Sequence, residues 1–120
     1  MSTFTAPLIS GHGRGRELGF PTLNLEVGEG SPENGVYAVR AFFSGHWANG
    51  VMHVGPRPTF KEDDRSIEVH LIDFDQALPS QGELIAVEVL GRLRDILSFP
   101  SPEALKKRIA QDIMQATSFF

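Results

Sequence analysis

Two stretches of this chain alternate strictly between apolar and polar residues, and that period governs what the chain can fold into. In SIEVHLIDF, Ile67, Val69 and Leu71 fall on one side of an extended backbone, and Glu68 and His70 fall on the other. In LIAVEVL, Ile85, Val87 and Val89 repeat the pattern. Further apolar runs, GVYAVRAFF and GVMHVG, are set off by turn-rich pieces such as GEGSPENG, SGHWANG and LPSQG. Short strands with one dry face and a turn every ten or so residues predict an all-β sandwich or closed barrel over about residues 4–98.

The period changes at the carboxy terminus. Ser101 suits an N-cap, Pro102 the first helical position and Glu103 the first turn. Leu105, Ile109 and Ile113 recur at helical spacing, while Lys106, Lys107, Gln111 and Gln115 point elsewhere. The spacing predicts one amphipathic helix over about 101–117, its stripe packed on the barrel. No repeat, low-complexity tract or linker interrupts the chain, so residues 1–120 read as a single domain.

Bulk properties narrow the function. A chain of 120 residues with 41% hydrophobic content buries enough surface to fold without disulfides, and it has no cysteine for thiol or zinc–thiolate chemistry. No segment resembles a signal peptide or reaches the roughly 20 apolar residues of a membrane span, so the expected location is the cytoplasm. The net charge of −4 disfavours a nucleic-acid polymer as partner. Arginine is nonetheless clustered, with Arg14 and Arg16 together and Arg92 and Arg94 together. Local positive charge on an acidic protein suits a small anionic ligand.

The stretch GHGRGRELGFPTLN concentrates the candidate chemistry. Its glycines break the spacing of both the Walker loop and the dinucleotide fingerprint. Gly11, Gly13 and Gly15 suit an anion-binding nest to which Arg14 or Arg16 adds charge; a solvated hairpin loop fits them equally well. Thr22 and Asn24 lie two apart, so an extended backbone places both on one face. A hydroxyl and an amide oxygen are hard neutral ligands suited to Mg²⁺ arriving with phosphates; an ordinary turn bonding its own backbone is the plainer account. Glu68 is either a solvated surface carboxylate or, in a cleft, an acceptor for a substrate hydroxyl proton. His70 reads as a satisfied polar residue, and Arg57 in VGPRPTF as surface or ligand.

Their order is more specific than any one piece. GHGRGRELGFPTLN, NGVYAV, GVMHVGPRPTF, EVHLIDF and GRLRD…SF followed by a helix resemble the riboflavin kinase domain, most similarly the carboxy-terminal module of bacterial bifunctional FAD-synthesising enzymes, from about Phe4 to Ala116. The resemblance implies a six-stranded antiparallel Greek-key barrel with a carboxy-terminal helix. It implies transfer of the γ-phosphoryl of ATP to the ribityl hydroxyl of riboflavin, giving FMN and ADP. Carried over by position, Gly11, Gly13, Arg14, Gly15, Arg16 and Thr22 contact the nucleotide, and Thr22 and Asn24 hold Mg²⁺. Glu68 is the catalytic carboxylate, and Arg94 and Phe99 lie near the flavin. The partners implied are small molecules, without nucleic acid or membrane, beside or fused to an FMN adenylyltransferase domain.

The chain departs from the family pattern at Leu23 (usually Ala), at His53-Val54-Gly55 (usually Asn-Ile-Gly), at Asp95-Ile96 after Arg94, where a glutamate is common, and in lacking a tyrosine in the LPSQG turn. These changes gather on the inferred flavin side. The alternative they raise is a flavin- or nucleotide-binding module with little or no turnover; a third class, a barrel for single-stranded nucleic acid, lacks basic–aromatic interleaving. Pro7, mid-way through FTAPLIS, predicts an edge or irregular segment there.

Overall fold

The computed structural model describes residues 2–10, 20–56 and 65–120. In chain order its elements are β1 (Thr3–Ser10), β2 (Thr22–Leu25), β3 (Gly35–Phe43), β4 (His46–Pro56), β5 (Arg65–Leu71), β6 (Leu84–Arg94), helix α1 (Pro102–Ala116) and a closing 3₁₀ turn (Thr117–Phe119). Neighbouring strands are antiparallel in the order β1-β2-β5-β4-β3-β6, and the β1–β6 ladder closes the ring. The expected six-stranded barrel with a carboxy-terminal helix is the fold found. Closure leaves no strand as an edge, which removes the hazard of unpaired backbone groups.

The alternating residues fill the barrel. Ile67, Val69, Leu71, Ile85 and Val87 are at most 1% exposed and join Leu23, Leu25, Val39, Phe43 and Met52 inside. Each such side chain contributes roughly 1.5–3 kcal/mol relative to an exposed one. The first half of β3 does not alternate because both its faces are dry there. Tyr37, Val39, Ala41 and Phe43 face the interior cluster, whereas Val36 and Ala38 lie with Val51 beneath Ala116 and Ile113 of α1.

The β3–β4 hairpin turns on Ser44 and Gly45, both at positive φ (52° and 83°), the requirement of a tight two-residue turn that matches strand twist. Ser44 is held in that disfavoured region partly by its backbone N–H donating to Glu83 Oε2 at 3.2 Å.

The expectation for Pro7 needs partial correction. β1 pairs with β6 from Thr3 to Pro7 and with β2 at Leu8 and Ser10, so it is an internal strand rather than an edge. The ladder tolerates proline because Leu8 N–H donates to Glu83 of the β6 side, which turns the Pro7 nitrogen toward β2, where that four-residue strand runs out. The irregularity is real but lies one step on, as a register shift between Leu8 and Ser10.

Helix α1 starts as its sequence dictates. Ser101 is extended, its Oγ accepts from Ala104 N–H at 3.2 Å, and Pro102 opens the first turn. The stripe is rotated from the one expected. Its fully buried residues are Ile109, Asp112 and Ala116, with Leu105 and Ile113 at the margins.

Candidate active site

Strand register assembles the site. Asn24 on β2 stands opposite Glu68 on β5, Glu68 opposite His53 on β4, His53 opposite Val36 on β3, and Val36 opposite Arg94 on β6. Directly opposed residues share a face. These five therefore form one row around the outside of the barrel, since Leu23, Ile67 and Val69 beside them point inward. A second row runs from Thr22 to His70, Val51, Ala38 and Gly91. Its small members let the carboxy-terminal turn approach: a Cβ on Gly91 would stand 2.2 Å from the Phe119 ring.

Thr22 is fully buried. Its Oγ1 lies 3.1 Å from the Phe20 carbonyl and 3.0 Å from His70 Nδ1. A hydroxyl has one proton and a carbonyl only accepts, so Thr22 donates to Phe20 and receives from His70 Nδ1–H. Asn24 Nδ2 donates to Ser10 Oγ at 2.9 Å, which ties β2 to the end of β1. The His70 and His53 rings meet edge-on at 5.2 Å. Burial lowers the pKa of His53 to about 4, with nearby Arg94 adding to the effect. Burial also lowers His70 to about 3, assisted by His53 and opposed by Asp112. Both imidazoles are neutral at physiological pH.

A cavity of about 550 Å³ opens over the row. One wall is His53, Glu68 and His70 from β4 and β5; the other is Ile96 to Pro102 with Leu105 and Ile109 of α1. Phe99 belongs to this second wall, with the Arg94 guanidinium 5.8 Å from its ring centroid. Arg94 is in turn held by Asp112, donating from Nε to Oδ1 at 2.9 Å and from Nη2 to Oδ2 at 2.7 Å.

Of the residues singled out from sequence, Thr22, Asn24 and Glu68 share adjoining strands and one barrel face, Phe99 lines the same cavity as Glu68, and Arg94 stands behind Phe99. Gly11, Gly13, Arg14, Gly15, Arg16 and Arg57 lie outside the described residues. His70 is the satisfied polar residue expected. His53, marked in the sequence as a departure on the inferred flavin side, is a largely buried wall residue, whereas Asp112 as a buried carboxylate escaped the sequence reading. The signal for Asp112 was present in the Ile109, Asp112, Ala116 spacing, which sets an acid within a helix stripe. Among the described residues no cluster of three or more His, Asp or Glu side chains is arranged to hold a metal ion. A hydroxyl and an amide oxygen fit a cation that brings anionic ligands of its own.

A closed six-stranded β-barrel with a carboxy-terminal helix, whose outer wall carries a carboxylate in a cavity and an amide and a hydroxyl on the same face, defines the class of protein. The chain belongs to the Flavokinase family, described as riboflavin kinase, whose sequence profile matches residues 2–120. It is 39% identical over 115 residues to the bifunctional riboflavin kinase/FMN adenylyltransferase of Haemophilus influenzae, covering 94% of this chain and 37% of that protein. The RNA-binding riboflavin kinase RibR of Bacillus subtilis is 34% identical over 114 residues, covering 94% of this chain and 49% of RibR. A solved structure described as a macrolide-efflux protein from Streptococcus pneumoniae matches with a TM-score of 0.83 and 28% identity, over 98% of this chain and 39% of that one. The chain thus spans between a third and a half of these relatives' lengths.

Proposed function

We propose that this chain is a riboflavin kinase, moving the γ-phosphoryl group of ATP to the primary hydroxyl of the riboflavin ribityl chain to give FMN and ADP. The observation that carries the reading is Glu68, which lines the cavity and stands opposite Asn24 with Thr22 two residues along the same face. In the step proposed, the hydroxyl oxygen bonds to the γ-phosphorus as the bond to the β–γ bridging oxygen breaks, and ADP leaves with that electron pair. An alcohol is far less acidic than a carboxylic acid, so Glu68 orients the hydroxyl first and receives its proton late.

Thr22 Oγ1 and Asn24 Oδ1 are the atoms assigned to Mg²⁺, and Gly11, Gly13, Arg14, Gly15 and Arg16 to the phosphates. The ion, bound with ATP, supplies charge neutralisation along the phosphate chain. His70 keeps the Thr22 hydroxyl aimed, and Phe99 with Arg94 forms the wall for the flavin ring. The reading places the reaction in the cytoplasm, where ATP is available, without nucleic acid. On the surface Arg40 sits 4.5 Å over Trp47, but its guanidinium is engaged by Glu88 at 3.0 Å. The product FMN is the substrate of the second activity for which the Haemophilus relative is named. No helix among the described residues is long and apolar enough to cross a membrane.

The test is chromatographic detection of FMN after incubation with riboflavin, ATP and Mg²⁺. FMN that forms with the wild-type chain and disappears in Glu68→Gln supports the kinase. Tight flavin binding without FMN overturns it in favour of a binding module.

A further inference from the structure

Asp112 is a carboxylate with no exposed surface, set on a helix stripe where leucine would pack. Removing a charge from water is expensive, so this one must be matched. Arg94 matches it through two parallel hydrogen bonds, Arg108 Nε stands 3.5 Å from Oδ1, and His53 Nε2 stands 3.9 Å from Oδ2. The remaining Arg94 nitrogen donates to the Asp95 carbonyl at 2.9 Å. The guanidinium is therefore fixed at every nitrogen, and its side chain is 8% exposed.

Stability alone does not account for this arrangement, because a buried ion pair replaced by apolar residues of similar volume is often as stable or more so. What the pair does provide is a defined position. The Arg94 guanidinium carbon stands over the Phe99 ring at 5.8 Å, and Phe99, Leu105 and Ile109 line the cavity with Glu68. Asp112 lies behind that wall, on the same helix as two of its members and beside His53 of the opposite wall. Thr22 and Asn24 lie at the other end of the rows, held by His70 and Ser10.

We infer that Asp112 is a positioning residue for the flavin: through Arg94 it sets where Phe99 stands, and so governs the fit of the isoalloxazine ring without touching it. The inference rests on the riboflavin kinase reading. It separates the two substrates, since the hydrogen bonds of Asp112 go to Arg94 beside Phe99, whereas Thr22 is reached only indirectly, through His53 and His70.

The experiment compares the wild-type chain with Asp112→Asn and with the apolar double variant Asp112→Leu/Arg94→Met. Riboflavin binding is followed by flavin fluorescence quenching, KM is measured for riboflavin and ATP separately, and thermal stability is recorded. Asp112→Asn is expected to weaken riboflavin binding and raise its KM by about tenfold while the ATP KM stays within about twofold. The double variant is expected to melt no lower than Asp112→Asn and still to bind riboflavin weakly, because it fills the volume but has no guanidinium to place Phe99. If the double variant recovers wild-type riboflavin affinity, or if both KM values rise together in it, the pair is only structural and the inference fails. Should Asp112→Asn not fold, the double variant decides alone. A wild-type chain that binds no riboflavin defeats the kinase reading itself, a result distinct from equal binding by wild type and double variant.

Discussion

Asn24 and Arg94 occupy the two ends of one cross-strand row on the outer wall of the barrel, with Glu68 next to Asn24 and His53 between Glu68 and the Val36–Arg94 pair. Residues from five strands are brought to one face by register alone. The row ties the nucleotide end of the proposed site to its flavin end, and its members are separately testable.

Glu68 is assigned the proton in the transition state and no role in holding ATP. Glu68→Gln keeps shape and removes the base, so kcat should fall by at least about 100-fold while the ATP KM changes less than about threefold. Steady-state kinetics checks this, and equal losses in both parameters would contradict the role.

Asn24 is assigned to the cation through its amide oxygen. Asn24→Ala should weaken nucleotide binding by about tenfold in the presence of Mg²⁺ and leave binding in its absence unchanged. Calorimetric titration with ADP, with and without the metal, distinguishes this from a general loss of structure.

His53 predicts an acid-sensitive fold. It faces Arg94 from β6, Asp112 from α1, and Glu68 and His70 from β5. Its folded pKa of about 4 lies below its unfolded value of 6.5, mainly through burial. The neighbouring guanidinium of Arg94, which balances the Asp112 charge, adds to the lowering. As pH drops below 6.5 the unfolded chain takes up the proton first, so stability is lost progressively until the folded group titrates near 4. The loss is up to about 3 kcal/mol at roughly 1.4 kcal/mol per pKa unit. Urea denaturation at pH 7 and pH 4.5 should show a smaller difference in His53→Asn than in the wild type.

Ser101 caps α1 with its hydroxyl, and the helix forms one side of the cavity. Ser101→Ala should cost about 1 kcal/mol. For a chain of this size that lowers Tm by roughly 4 °C, measurable by calorimetry.

The strands around Ile67, Val69 and Leu71 and around Ile85, Val87 and Val89 were legible because a period of two survives whatever packs against it. The helix start was legible because capping is local chemistry among Ser101, Pro102 and Ala104. The position of Thr22 and Asn24 on one face followed from their spacing. The rotated stripe of α1 did not, since Asp112 counts as solvent-facing until its partner is known.

The sequence by itself determined the strands, the helix, the family and the residue types able to bind a cation and accept a proton, because those depend on neighbours within a few positions or on motif order. Only the tertiary structure decided that Glu68 faces Asn24, that His53 is buried and neutral, and that Asp112 grips Arg94. Each of these is a contact between segments far apart in the chain. Such contacts are set by barrel register and helix docking, and their energies come from the loss of water around both partners at once.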